Sequence, residues 1–526
     1  MDTLIAALPV IFLVWSMTKQ RPLAAHVALP LTALFAGLLQ VFYFQADKLT
    51  LLANAVAGGL SVLTPISIVA GAILLNRVLV ISGAENTLKQ WLESISRNQV
   101  AQLMIIGWAF AFMLEGASGF GTPAAIAAPI LVGLGFNPMR VALLTLVMNS
   151  VPVSFGAVGT PAWFGFAALE LSEAQLLATS QWTALIHLVA SLIIPALALR
   201  FLVSWKAIRD NSIFVVMSAL SCTAPYYLLA QVNYEFPSLI GGAVGLCLTI
   251  LAAKFHIGLA RQSDNKDLKE ASLDPAAVFK ALSPFLLLIA ILIVTRIKQW
   301  PFKGWLNDTS LWFSVGDFGV SQALILSWSN IFGTDVAWSY KTLYVPAIIP
   351  FVVTVILLIP VLALSKCQLQ QATSDTWQRI KLPALALVGA LMMVNFMMQG
   401  DDNAPIFIIA NTLADTMGAN WSYVASLLGA LGSFFSGSAT VSNLTFGGIQ
   451  HSIALQTSLP VTVVLALQSV GASMGNMICL NNIIAVCSIL GIKNQEGAMI
   501  KSTILPMLVY ALVAALMGQV ILRVLL

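Results

Sequence analysis

Long apolar runs separated by short polar stretches dominate the chain. Runs of spanning length lie at 3–18, 23–44, 60–82, 99–115, 180–204, 213–231, 238–256, 280–296, 343–365, 382–399 and 502–525. One helix needs about 20 apolar residues to cross the hydrocarbon core of a bilayer. Two more stretches, 116–168 and 403–492, are apolar but chopped by Gly, Pro, Ser and Asn. Counted as broken crossings, they raise the total to about 12–14 and predict an all-α polytopic membrane protein. The densest charge run, RQSDNKDLKEASLD from Arg261 to Asp274, reads as a solvated linker over 261–277. It joins an N-terminal half, 1–260, to a C-terminal half, 278–526.

Composition agrees with a bilayer as solvent. Of 526 residues, 59% are hydrophobic and only 9% charged, whereas soluble domains are about one-quarter charged. A net charge of +4 gives no basic surface for nucleic acid. Five cysteines without C-x-x-C spacing read as packing residues, and no metal or cofactor is expected. No basic residue precedes the apolar start from Leu4 to Trp15, so it reads as a retained helix rather than a secretory leader. Loops with Lys19/Arg21, Lys89/Arg97, Lys206/Arg209, Arg261/Lys266/Lys269 and Lys366/Arg379/Lys381 alternate with positive-poor loops around Glu170/Glu173, Glu235 and Asp401/Asp402. That alternation predicts an outside N-terminus and a cytoplasmic linker. The segment from Arg296 to Lys341 fits this order less well.

Chemistry concentrates in the broken segments. Between Arg97 and Arg140 the one charged residue is Glu115, inside MLEGASGFGTPAA. A carboxylate at membrane depth is costly unless neutralised, paired or facing a cavity. The Gly116, Gly119, Gly121 and Pro123 that follow work against a continuous helix. Opened backbone there must line a cavity or be buried in protein, and the helix restarting at Thr122-Pro123 offers its positive end to an anion. The plainer reading is a glycine-rich packing seam. The N-terminal half thus carries breaks at 115–123 and 149–161, and the C-terminal half at 436–443 and 468–482. No Asp, Glu, Lys or Arg occurs in 416–492, which suits an anion desolvated by neutral donors. Ser150-Val151-x-x-Ser154 lines up with Ser469-Val470-x-x-Ser473, and the preceding Gly116 and Gly437 lie 34 and 32 residues upstream. Similar breaks in two halves point to a midplane transport site.

Other readings carry less. Gly116-Ala117-Ser118-Gly119 matches the G-x-S-G of intramembrane serine proteases, with His187 or His451 as the histidine such chemistry needs. His451 is more simply a packed histidine than a proton relay. Arg140 is a surface charge or an attractor of substrate, and Asp401-Asp402 a solvated turn.

At these motifs the chain resembles a known family. Glu115-Gly-Ala-Ser-Gly-Phe-Gly-Thr-Pro-Ala-Ala-Ile, Leu131-Val-Gly-Leu-Gly-Phe-Asn-Pro and Asn149-Ser-Val-Pro-Val-Ser-Phe-Gly-Ala-Val-Gly-Thr-Pro resemble the lactate permeases. Gly437-Ser-Ala-Thr-Val-Ser-Asn and Gly475-Asn-Met-Ile follow in the family's order, so the likeness covers essentially the whole chain. The resemblance implies two inverted repeats with re-entrant hairpins and an elevator-type motion. It also implies a bacterial inner-membrane symporter that couples protons to lactate and related 2-hydroxymonocarboxylates such as glycolate. Rivals are a sodium-coupled or exchange carrier for another small organic anion and, more remotely, an intramembrane serine hydrolase. The chain departs from the family at Ala439, where an acid is common, and at Asn476, where lysine is frequent.

The site expected from the breaks takes the anion on backbone N–H groups around Gly116–Gly119 and Ser436, Gly437 and Ser438. Ser118, Asn149, Ser150, Ser154, Thr440, Ser442 and Asn443 supply hydroxyls and amides, and Glu115 accepts the coupled proton. A neutral carboxyl can share a low-dielectric cavity with an anion, whereas an ionised one repels it. The expected partners are a small organic anion, a proton and the lipid bilayer. The sequence leaves homo-oligomer formation open.

Overall fold

The computed structural model describes residues 2–19, 23–119, 122–260, 274–296, 300–345, 348–400, 403–492 and 495–525. Arg21, Gly121, Asp401, Asp402 and the linker charges of 261–273, all used in the sequence reading, lie outside these residues. Among the described residues nine helices are long and apolar enough to cross a bilayer. The number is ten if the bent pair Pro138–Met148 and Pro152–Leu169 counts as one span. The chain is a multi-pass helical membrane protein. Fewer helices qualify than the roughly 12–14 crossings expected, because several are short: Asp2–Met17 and Ile348–Leu362 among the apolar runs, and Thr122–Gly133 and Trp421–Ser436 beside the breaks.

The chain forms two compact units, Met1–Glu85 with Lys280–Thr416 and Asn86–Phe279 with Met417–Leu526. Each unit takes one stretch from either side of the linker, so the units are cut differently from the two halves of the sequence.

The first unit is built around Lys366–Met398, a helix of 33 residues. At 1.5 Å per residue it is about 50 Å long, more than the ~30 Å of hydrocarbon requires. The loop expected to hold Lys366, Arg379 and Lys381 is instead helical. Ser365 and Gln368 cap its start reciprocally, and no proline interrupts before Pro383. Gly389 lets this helix meet Ala25–Phe42 backbone to backbone, since a Cβ there would lie 2.3 Å from the nitrogen of Pro30. Arg77 grips Oδ2 of Asp375 with Nη2 at 2.6 Å and Nε at 2.9 Å. Beyond the helices this unit adds an antiparallel sheet in the order β1 (Leu311–Val315), β2 (Phe318–Ser321), β3 (Ile325–Trp328), β4 (Trp338–Lys341). Gly316, at φ +57°, turns β1 into β2, a conformation glycine adopts without steric cost.

In the second unit two helices apolar enough to span a membrane are buried over most of their length, wholly so across 101–118 and 463–479. Glycines make the close approach possible. A Cβ on Gly242 would fall 2.4 Å from the nitrogen of Met113, and one on Gly116 2.2 Å from the nitrogen of Leu239. The helix Trp421–Ser436 meets Val461–Gly475 in the same way. A Cβ on Gly471 would lie 1.9 Å from the carbonyl oxygen of Ser426, and one on Gly475 2.4 Å from that of Ala430.

Candidate functional site

All four breaks lie in the second unit. The first helix starts at Asn98, whose Oδ1 accepts from the N–H groups of Val100 and Ala101. It widens to π-helix over Leu103–Phe110 and ends at Ser118. Gly116 therefore does not open the helix, as its place in a glycine run suggested; its absent side chain admits Leu239. The chain leaves the helix at Gly119, where φ +59° and ψ −156° are open to little but glycine. A new helix begins at Thr122, where the sequence placed it. Ser118 donates its hydroxyl to the Leu114 carbonyl at 2.9 Å, one helical turn back.

Glu115 is 3% exposed. Its Oε2 accepts the Asn149 amide at 3.1 Å, and among the described residues no lysine or arginine pairs with it. Its Oε1 rests on Gly156, where a Cβ would stand 2.6 Å away. The Asn149 Oδ1 is buried and has no hydrogen-bond partner.

The second break follows Pro138–Met148. After a 3₁₀ turn at Pro152–Phe155 the backbone turns left-handed at Ala157, Val158 and Gly159, with φ of 45°, 55° and 71°. A β-branched residue in this region is strained by about 1–3 kcal/mol. The turn is held from several sides. Ala157 packs against Gly119, and Gly159 admits the backbone of Tyr234 and Glu235. Trp163 Nε1 donates to the Val158 carbonyl at 3.2 Å. Glu235, buried beside this turn, is a second carboxylate near the breaks that the sequence reading left in a loop.

The third break is a tight reversal. Trp421–Ser436 ends at Gly437, φ +74°, and Ser438 caps Ala439–Gln456 by accepting the Val441 N–H at 3.3 Å. Ser436 donates back to the Gly432 carbonyl at 2.8 Å, and Thr440 is buried. Ser442 and Asn443 are fully engaged within the protein. Ser442 donates to the Gly429 carbonyl at 2.7 Å, and Asn443 Nδ2 to the Pro161 carbonyl at 2.9 Å. Both accept from Gln468 Nε2, at 3.2 and 3.4 Å. Gln468 Oε1 accepts from Gln450 at 2.9 Å, and Gln450 Oε1 from Trp421 Nε1 at 2.6 Å. Ala439 packs with Val153 and Ala472, an apolar contact at the position where the resemblance leads one to expect an acid. In the fourth break Asn476 Oδ1 accepts the Asn482 amide at 2.8 Å.

Breaks two and four meet through serines. Ser154 donates to the Ser469 carbonyl at 3.1 Å, and Ser473 to the Ser150 carbonyl at 2.6 Å. Aligning Ser150-Val151-x-x-Ser154 with Ser469-Val470-x-x-Ser473 exchanges 150 with 469 and 154 with 473. Under that exchange each bond becomes the other. Ser469 also donates to Ser154 Oγ at 3.0 Å. On this side alone a buried histidine joins the seam: His187 Nε2 lies 2.9 Å from Ser154 Oγ, and Nδ1 meets the Tyr510 hydroxyl. The contacts of His187, Tyr510, Gln450 and Trp421 were not foreseen, because nothing in the local sequence around these residues marks them. His451 is half-buried, and Arg140 is exposed at the first turn of its helix.

The profile of the L-lactate permease family matches residues 2–525. A protein of Haemophilus influenzae is 54% identical over 518 residues, covering 98% of this chain and 97% of its own length. The glycolate permease GlcA of Escherichia coli is 26% identical over 538 residues, covering 97% and 94%. The structure of Neisseria gonorrhoeae MtrF, described with a class of antimetabolite efflux pumps, aligns at a TM-score of 0.48 and 14% identity over 96% of each chain, a level that adds nothing about this fold. With a full-length profile match, the chain is a permease rather than an enzyme and belongs to the L-lactate permease family.

Proposed function

We propose that this permease is a proton-coupled symporter that brings lactate and related 2-hydroxymonocarboxylates such as glycolate into the cell. It acts from the bacterial inner membrane with its N-terminus outside. The family and a glycolate-carrying relative support the substrate class. One observation carries the coupling: Glu115 is buried at the tip of a broken helix with a single amide donor and no cationic partner among the described residues. Such a carboxyl is stable in protein when it holds a proton, and an incoming anion makes the neutral form more favourable still.

The substrate sits between the tips of the breaks. Its carboxylate meets the hairpin tips at Gly119 and Ser436–Ser438, displacing the bonds that the Gly119 and Gly437 N–H groups make to the Glu115 and Ser433 carbonyls, with Asn149 and Thr440 beside it. Ser442 and Asn443, whose polar atoms are already engaged, shape the site rather than bind, and Gly116 packs. The matched bonds Ser154–Ser469 and Ser473–Ser150 support reading 1–260 and 278–526 as inverted repeats. The hydrolase reading has no seat. Ser118 bonds to its own helix, and the serine that His187 does reach, Ser154, donates to a carbonyl instead of to the ring.

Uptake of labelled lactate, glycolate and pyruvate into proteoliposomes under imposed proton or sodium gradients tests the proposal. Lactate and glycolate should accumulate with the proton gradient, and Glu115→Gln should abolish accumulation while leaving exchange. Full dependence on the proton gradient in that variant would remove Glu115 from the coupling. Sodium-driven uptake without proton movement would replace symport with protons altogether.

A further inference from the structure

The serine seam has two matched sides, and only one of them is backed by a titratable ring. His187, on Glu173–Ala190, is fully buried. Its neighbours come from four other segments: Ser154 of the second break, Ser469 of Val461–Gly475 through Ser154, Tyr510 of Glu496–Leu525, and Tyr226 of Ser212–Ala230. The Tyr226 ring stands edge-on to it at 6.0 Å between centroids. Hydrogen-bond bookkeeping fixes the direction of each contact. Ser154 spends its one proton on the Ser469 carbonyl and accepts from the Ser469 hydroxyl. Its contact with His187 must therefore be a second acceptance, with Nε2–H the donor. Nδ1 then accepts the Tyr510 O–H, and every polar hydrogen of the cluster is placed on a partner. On the matched side, Ser150 donates to the Val147 carbonyl at 2.7 Å, and its own carbonyl takes the Ser473 hydroxyl; among the described residues no titratable side chain is bonded to Ser150 or Ser473.

Ser154 is two residues before Gly156, the residue on which the Glu115 carboxyl rests. A donor that fixes Ser154 therefore fixes the floor under Glu115. We propose that His187 is a positioning residue for substrate binding, acting through its Nε2–H on Ser154 and so on the backbone that seats Glu115. The inference rests on placing the substrate between the breaks.

Two substitutions separate this role from general packing. In His187→Gln the amide nitrogen can stand where Nε2 stands, keeping the bond to Ser154 and losing Tyr510. In His187→Asn the shorter side chain keeps a partner for Tyr510 and cannot reach Ser154. Each removes one buried hydrogen bond, so both should lower thermal stability alike. Lactate uptake should part them: KM within twofold of wild type for His187→Gln, and raised roughly fivefold for His187→Asn. Ser154→Ala should raise KM as His187→Asn does, and the double variant should be no worse than either single one. Tyr510→Phe, which keeps the ring, should bind like wild type. Equal KM defects in the two histidine variants, a defect in neither, or a defect in His187→Gln alone would overturn the assignment. So would additive effects in the double variant. Wild-type uptake by Ser154→Ala would overturn the placing of the substrate and the inference together. A KM defect in Ser154→Ala without one in His187→Asn would overturn the inference alone.

Discussion

The first and third breaks lie at similar distances ahead of Ser150 and Ser469, 34 and 32 residues from Gly116 and Gly437, and they are built in opposite ways. At the first, a carboxylate is held by one amide and a glycine surface, and the amide's own oxygen is left without a partner. At the third, Trp421, Gln450, Gln468, Ser442 and Asn443 form a closed neutral network with its amide groups engaged. A sparsely held charge can change partner or protonation state at little cost. A saturated buried network resists change, because removing one member strands the others. The contrast assigns change to the N-terminal break and rigidity to the C-terminal one.

The largest effect should come from breaking the closed network. Gln468→Leu leaves one N–H of the Gln450 amide and the oxygen of Asn443 without that partner, and should cost about 3 kcal/mol of stability. Heating solubilised protein should show the loss, with KM unchanged in the protein that survives; a raised KM instead would make the network part of the binding surface. Next, Gly156→Ala drives a methyl against Glu115 and should cut proton-driven uptake roughly thirtyfold, about 2 kcal/mol at the site. Normal uptake would mean the carboxyl is not seated on that glycine. The two hairpin tips should then differ in a paired measurement. Gly119→Ala, in a region closed to side chains and against Ala157, should destabilise by about 2 kcal/mol. Gly437→Asn, in the ordinary left-handed region, should cost under about 1 kcal/mol. Equal costs would erase the distinction between the tips. The smallest effect lies outside both breaks. The Thr50 backbone N–H, then its hydroxyl, holds the Asp47 carboxyl below its usual range. The stability this gives is present above the usual carboxylate value and is lost as pH falls through the lowered one. Asp47→Ala should flatten that acid limb of the stability profile and leave uptake unchanged.

The breaks themselves were legible, because glycine and proline act through local backbone sterics, and Glu115 stood out as a lone charge. What each glycine does was not legible. Gly116 and Gly119 look alike in sequence, yet one admits Leu239 and the other turns the chain, and only the neighbouring helix decides which. Ser442 and Asn443 read as free donors because their partners, Gly429, Pro161 and Gln468, are set by tertiary packing. His187 and Tyr510 lie hundreds of residues apart, so no local pattern could join them. The sheet did leave a signal, two apolar runs around Gly316-Asp317, but it was hidden inside a chain whose apolar residues otherwise mean helix.

The seam between Ser150/Ser154 and Ser469/Ser473 also bears on how the protein is made. Its two sides emerge from the ribosome more than 300 residues apart, which at roughly 10 residues per second is about half a minute. Throughout that interval the Ser150 carbonyl and the Ser154 hydroxyl must wait in a nascent membrane intermediate without their final partners. The same bonds that close the finished core thus set a checkpoint in its biogenesis: helix insertion can proceed segment by segment, but the core cannot mature until the C-terminal quarter of the chain arrives.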